Sequence, residues 1–257
     1  MILRKTLGRL TGVDTSLGIN VDYSGSNDSA MQALNEIANA GFSHIMWTEH
    51  WDSDYLYSQT EMQSIACRLD ALGLSLADLH GTSGVKSCWY STCEEERLAG
   101  VELIRNRVDM TAMLGGDSVI LHPMITNHQQ IDLWRSQGER SLRELEEYVL
   151  MKKVSLVLEN LFQSDYLQQR DDTLQGFETI EYFFNRFAPD YLGFCWDTGH
   201  AFILGEKAFK WSVSLAHQRL RSIHLNDNQG VSDQHAPPLT WDSPWEIIAE
   251  TIASSPY

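Results

Sequence analysis

Five short apolar runs in this chain each end in a residue that can bind a metal. Leu74–Leu79 runs into His80, Val119–Leu121 into His122, and Val154–Leu158 into Glu159. Tyr191–Trp196 runs into Asp197 with His200 three residues on, and Leu220–Ile223 into His224 with Asp233 and His235 beyond. Apolar runs this short, bounded by turn signals, read as buried parallel strands. In a (β/α) barrel the C-terminal strand ends open on one face, where active sites are built. Eight His, Asp and Glu residues at one such face point to a metal centre.

The segments between the runs are amphipathic. A helix capped by Asp28 is expected to run to Asn39, with further helices over Ser58–Ala71, Glu94–Leu114, Ile131–Leu150, Thr173–Phe187, Gly205–Ala216 and Trp245–Ala253. Leu98, Val101, Ile104 and Val108 supply the apolar stripe of the Glu94 helix. With strands at Ser16–Val21 and His44–Trp47 the pattern alternates strand and helix throughout, which predicts an α/β fold of the (β/α)8 TIM-barrel class. Seven strands are read, and the eighth is expected beyond Tyr257. The length of 257 residues and an apolar content of 43% suit one large core, so residues 1–257 are read as a single domain.

Composition narrows the partners. Lys plus Arg number 19 against 35 Asp plus Glu, a net charge of −16 that repels nucleic acid. No run of 18 apolar residues suggests a membrane span, and Arg4, Lys5 and Arg9 are not followed by a signal-peptide core. Cys67, Cys88, Cys93 and Cys195 lack zinc or redox spacing and fit reduced thiols in a cytoplasmic protein.

Individual residues then take candidate roles. Asp197-Thr198-Gly199-His200 places a carboxylate at the end of a buried strand with a histidine one turn on. Gly199 would allow the bend, although the same residues also suit a helix-capping Asp with a solvated His. Asp233 and His235, two apart in an extended segment, would grip one ion together. Asn226 and Asp227 read as supporting or turn residues. Glu159 can bridge ions or act as a base on a sugar carbon, with Asn160 beside it. Asp78 can orient His80. Near strand two, Trp47, Glu49 and His50 are candidate sugar contacts, and Trp89, Tyr90 and Trp241 are rim aromatics.

Taken together these motifs resemble the xylose isomerase-like TIM-barrel superfamily, which unites sugar isomerases and epimerases with endonuclease IV. The resemblance is carried by Asp78-Leu79-His80-Gly81, Leu121-His122-Pro123, Leu158-Glu159-Asn160, Asp197-Thr198-Gly199-His200-Ala201-Phe202, His224-Leu225-Asn226-Asp227 and Asp233-Gln234-His235. It implies a divalent metal (zinc, manganese or magnesium) on Glu159, Asp197 and His224, with Glu159 moving a proton. The Glu that completes this set on strand eight in epimerases has no match before Tyr257. The endonuclease IV pattern would add His80, His122, His200, Asp233 and His235. Three readings follow: a sugar or sugar phosphate isomerase/epimerase acting on a small molecule, which is preferred; a multi-zinc phosphodiesterase of the endonuclease IV type; and a non-catalytic barrel. The superfamily also includes homo-oligomers.

Overall fold

A computed structural model describes residues 18–22, 29–81, 88–123, 130–161 and 175–256. The contacts divide the chain into two compact units. The described part of the first lies within 18–121 and 130–156, and that of the second within 122–123 and 157–256.

In the first unit the elements are β1 (Gly18–Asn20), α1 (Ala30–Asn39), β2 (His44–Trp47), α2 (Gln59–Leu72), β3 (Ser75–His80), α3 (Glu94–Met113), β4 (Ser118–Leu121) and α4 (Ile131–Met151). Strand order follows the chain, and each pair from β1 to β4 is parallel. The expected Asp28 cap lies outside the described residues; Ser29 is the N-cap, its N–H donating to Gln32 Oε1. Ser58 caps α2, where it and Glu61 satisfy each other's backbone N–H groups. Gly73 ends that helix with φ 66°, a conformation glycine adopts without steric cost. Leu34, Ile37, Ile45 and Leu79 are buried in the core of this unit.

Helix α3 differs from its predicted stripe. Val101, Ile104 and Val108 are buried, but Leu98 is 47% exposed, and Arg97 and Arg107 are fully buried. Arg97 is tolerated because its guanidinium is surrounded by acceptors: Glu94 Oε2 at 2.9 Å, Ser141 Oγ at 2.8 Å and Glu144 Oε1 at 3.0 Å. Arg107 donates to the carbonyls of His50 and Tyr55 and lies over the Tyr57 ring. It therefore pins the segment after β2, and burial pulls its pKa down to about 10.

Strand β5 (Ser155–Glu159) begins in the first unit and ends in the second. The second unit continues with α5 (Gln175–Phe184), β6 (Leu192–Asp197), α6 (Thr198–Ile203), α7 (Glu206–Arg219), β7 (Leu220–His224) and α8 (Trp245–Ser254). Strands β6 and β7 pair in parallel, with every residue of β6 buried. Phe177 stacks on Trp211, and Arg219 ties the carbonyls of Phe184 and Leu192 to the end of α7. The alternation of strand and following helix makes this an α/β fold of the TIM-barrel class, with seven strands among the described residues. No helix among those residues is long and apolar enough to cross a membrane.

Helix α3 meets the Trp89 segment at Gly100, where an added Cβ would stand 2.4 Å from Trp89 N. Gly100→Ala should therefore destabilise the protein by about 1–3 kcal/mol. Urea unfolding would read this, with exposed Leu98→Ala staying within about 0.5 kcal/mol of the parent.

Candidate functional site

The second unit gathers His122, Glu159, Asp197, His200, His224, Asp233 and His235. Glu159 ends β5 and is 2% exposed. His122 Nε2 lies 3.0 Å from its Oε2, and His224 Nδ1, at the end of β7, lies 3.2 Å from its Oε1. Burial alone would raise this carboxyl, but the His224 charge and the hydrogen bonds of both imidazoles outweigh it. Glu159 is thereby held well below the usual carboxylate range.

Asp197 ends β6 and is held from several sides. Asn160 accepts from the Asp197 N–H at 2.9 Å and donates to the Asp197 carbonyl at 2.8 Å. Asn226 Nδ2 donates to Asp197 Oδ2 at 2.8 Å, and the His200 N–H donates to Oδ1 at 2.7 Å. That last bond makes Asp197 the N-cap of α6, as the helix-capping alternative for this motif expects. Burial raises the Asp197 carboxyl above its ordinary value, against the pull of His200. Gly199 has a spatial rather than a conformational role: a Cβ there would fall 1.7 Å from Asn226 Oδ1.

His200 is buried rather than solvated. Its Nδ1–H donates to the Asn160 carbonyl at 2.9 Å, and Nε2 lies 3.2 Å from Asp233 Oδ2. Burial draws the imidazole down, but Asp197, Asp233 and Glu159 push it up to about 10. His235 Nε2 approaches the same Asp233 oxygen at 3.3 Å. His235 has φ 45°, so residues 233–235 are not the extended segment expected, yet the two side chains still meet. Burial would raise Asp233, but the His200 hydrogen bond keeps it below its ordinary value.

Two clusters in this unit suit a divalent cation. Asp197, His200 and His235 offer ligand atoms within 4.8 Å of one another, and so do Glu159, Cys195 and His224. Carboxylate oxygen with imidazole nitrogen is the donor chemistry of zinc and manganese sites. Asp233 Oδ1 is buried and accepts no hydrogen bond among the described residues, so a lone pair is available there. The Asn160 carbonyl takes the Nδ1–H of His200, which leaves Nε2 facing Asp233.

The remaining sequence candidates stand in the first unit. His80 ends β3, and Trp51 packs edge-on against its ring at 6.0 Å. Trp47 is 1% exposed and its indole donates to Tyr57 Oη at 3.0 Å, which makes it a core side chain. Glu49 accepts from the first N–H of α1 at 3.5 Å. His50 is exposed, has φ 63° and stacks on Tyr55.

Sequence reasoning understated two residues. Cys195 was read only as a reduced thiol, although it lies two positions before Asp197 and shares its strand face. Asp227 organises the segment after β7: its carboxylate accepts from Asn228 N, Trp241 N, Ser243 Oγ and Trp245 Nε1. Its backbone also exchanges two hydrogen bonds with Ala236.

The chain belongs to the xylose isomerase-like TIM-barrel family, whose model matches residues 34–257. It is 27% identical over 259 residues to the uncharacterised protein y4fM of Sinorhizobium fredii, covering 90% of this chain and 79% of that protein. A D-tagatose 3-epimerase-like protein superposes with TM-score 0.72 at 16% identity, covering 93% of this chain and 86% of the other. A D-psicose 3-epimerase crystallised in the presence of D-fructose gives TM-score 0.71 at 16% identity, covering 95% and 82%. At these identities the likeness is one of fold.

Removing the Asp227 carboxylate would leave buried donors unmatched at about 1–3 kcal/mol each. Asp227→Ala should cost at least about 2 kcal/mol in urea unfolding. It should also make the 229–243 segment the first site of cleavage in limited proteolysis.

Proposed function

We propose that this protein is a divalent-metal-dependent sugar or sugar phosphate isomerase/epimerase, and that residues 1–257 act as one catalytic domain. The observation that carries this reading is the Glu159 carboxylate. It is buried, held in its ionised form by His122 and His224, and clustered with metal-type ligands. Likeness in fold to proteins named as D-psicose and D-tagatose 3-epimerases supports it.

Glu159, Asp197 and His224 would hold zinc, manganese or magnesium. Such an ion, when bound, polarises adjacent carbonyl and hydroxyl oxygens and so acidifies the carbon-bound proton between them. Glu159, ionised through its contacts with His122 and His224, removes or returns that proton. Asn160 and Asn226 set the Asp197 carboxylate in place. His122 orients Glu159 through its 3.0 Å contact.

A second reading rests on a different contact. Both His200 Nε2 and His235 Nε2 face Asp233 Oδ2, which favours more than one bound ion and hence a phosphodiesterase of the endonuclease IV type.

Incubation with a panel of ketoses in deuterated buffer, followed by NMR, separates the two. We expect deuterium at one sugar carbon, with the rate in Glu159→Gln lower by roughly a hundredfold to ten-thousandfold. Hydrolysis of small phosphodiesters without deuterium exchange would put the second reading first, and neither reaction would sink both. The metal content of the purified protein is expected to be one divalent ion per chain, whereas two or three zinc ions would favour hydrolysis.

A further inference from the structure

Beneath Glu159 and His224 lies a side chain of different chemistry. Cys195 is fully buried in β6, and its Sγ stands within 4.8 Å of both a Glu159 oxygen and a His224 nitrogen. We propose that Cys195 is a thiolate ligand of the cation bound by Glu159 and His224, and that it biases this site toward zinc or cobalt over magnesium and manganese. The inference rests on the metal-dependent reading above and deepens it.

Three observations support this assignment. Cys195 and Asp197 are two apart in one strand, so their side chains leave β6 on the same face. The β6–β7 ladder shifts register between Phe194 and Cys195, so that Cys195 pairs with Ser222 and Asp197 with His224. A bulge of this kind re-aims side chains and is common beside functional sites. The spacing is also that of a ligand cluster: metal–ligand bonds of about 2.0–2.3 Å place tetrahedral ligand pairs roughly 3.3–3.8 Å apart, and here the three ligand atoms lie within 4.8 Å of one another.

The donor set explains the selectivity. Magnesium and manganese favour oxygen ligands, and a sulfur in the first coordination sphere adds little for them. Zinc and cobalt gain a strong bond from thiolate. As the metal–sulfur bond forms, the S–H bond breaks and its proton leaves to the buffer, so binding releases one proton more than an oxygen-only site would. The competing view is that Cys195 is a small packing residue, as buried cysteines often are.

Cobalt titration of the full-length protein decides between them. The expected result is a near-ultraviolet sulfur-to-cobalt charge-transfer band. It should persist in the triple variant Cys67→Ser/Cys88→Ser/Cys93→Ser, which leaves Cys195 as the sole thiol. In Cys195→Ser the band should vanish and zinc affinity should fall at least about tenfold, while manganese affinity holds within about twofold. Cobalt binding without the band, or a band that survives Cys195→Ser, overturns the proposal and leaves the metal-dependent reading intact. No binding of any divalent ion sinks both. If Cys195→Ser fails to fold, the triple variant carries the test, since loss of the band there is equally fatal.

Discussion

The placement of Asp197 is the constraint on which the site depends. A carboxylate buried at a strand end has strong reason to take up a proton or to turn away, because burial disfavours its charge. Here it cannot turn away. Asn160 clamps its peptide on both sides, Asn226 donates to one carboxylate oxygen, and the first turn of α6 donates to the other. The same contacts align neighbouring groups. The Asn160 side chain joins the ends of β5 and β6, so Glu159 and Asp197 are fixed together. The Asn160 carbonyl holds His200, and through it Asp233.

Close backbone approach makes this possible. Gly199 lets Asn226 reach Asp197, and Thr198 Oγ1 lies near the carbonyls of both His224 and Asn226. Asn228 Nδ2 donates to the Gly199 carbonyl. The segment leaving β7 is thus bound to the start of α6 by side chains where no β-ladder could run. These polar contacts are buried and largely satisfied, which is the condition under which a polar network rigidifies a site.

Much of this was legible in the sequence because the strands are apolar and short. Their ends fall within a residue or two of the predicted bounds, and the residues at those ends include Glu159, Asp197 and His224. The misread features share one physical cause, since each depends on what lies across space rather than along the chain. Arg97 and Arg107 are buried on α3 because Glu94, Glu144 and the carbonyls of His50 and Tyr55 surround them, and no helical period announces such partners. Trp47 suits a sugar contact by its place at the end of strand two, but Tyr57 takes its indole hydrogen bond inside the core. Asp227 stood in a run of turn-forming residues, and its four donors come from positions up to 18 residues away.

The Asp227 anchor has a further consequence for how such a chain can diversify. Because its carboxylate and backbone hold Ala236, Trp241, Ser243 and Trp245, the span from Asn228 to Ser243 is a loop with both ends fastened to one residue. Closing a flexible loop costs only about 0.6 kcal/mol more for each doubling of its length. Insertions and deletions between Ala236 and Trp241, clear of Asp233 and His235, are therefore cheap, and they need not disturb β7 or α8. A descendant of this sequence could remodel the loop to meet a different molecule while the metal-type ligands at the strand ends stayed where they are.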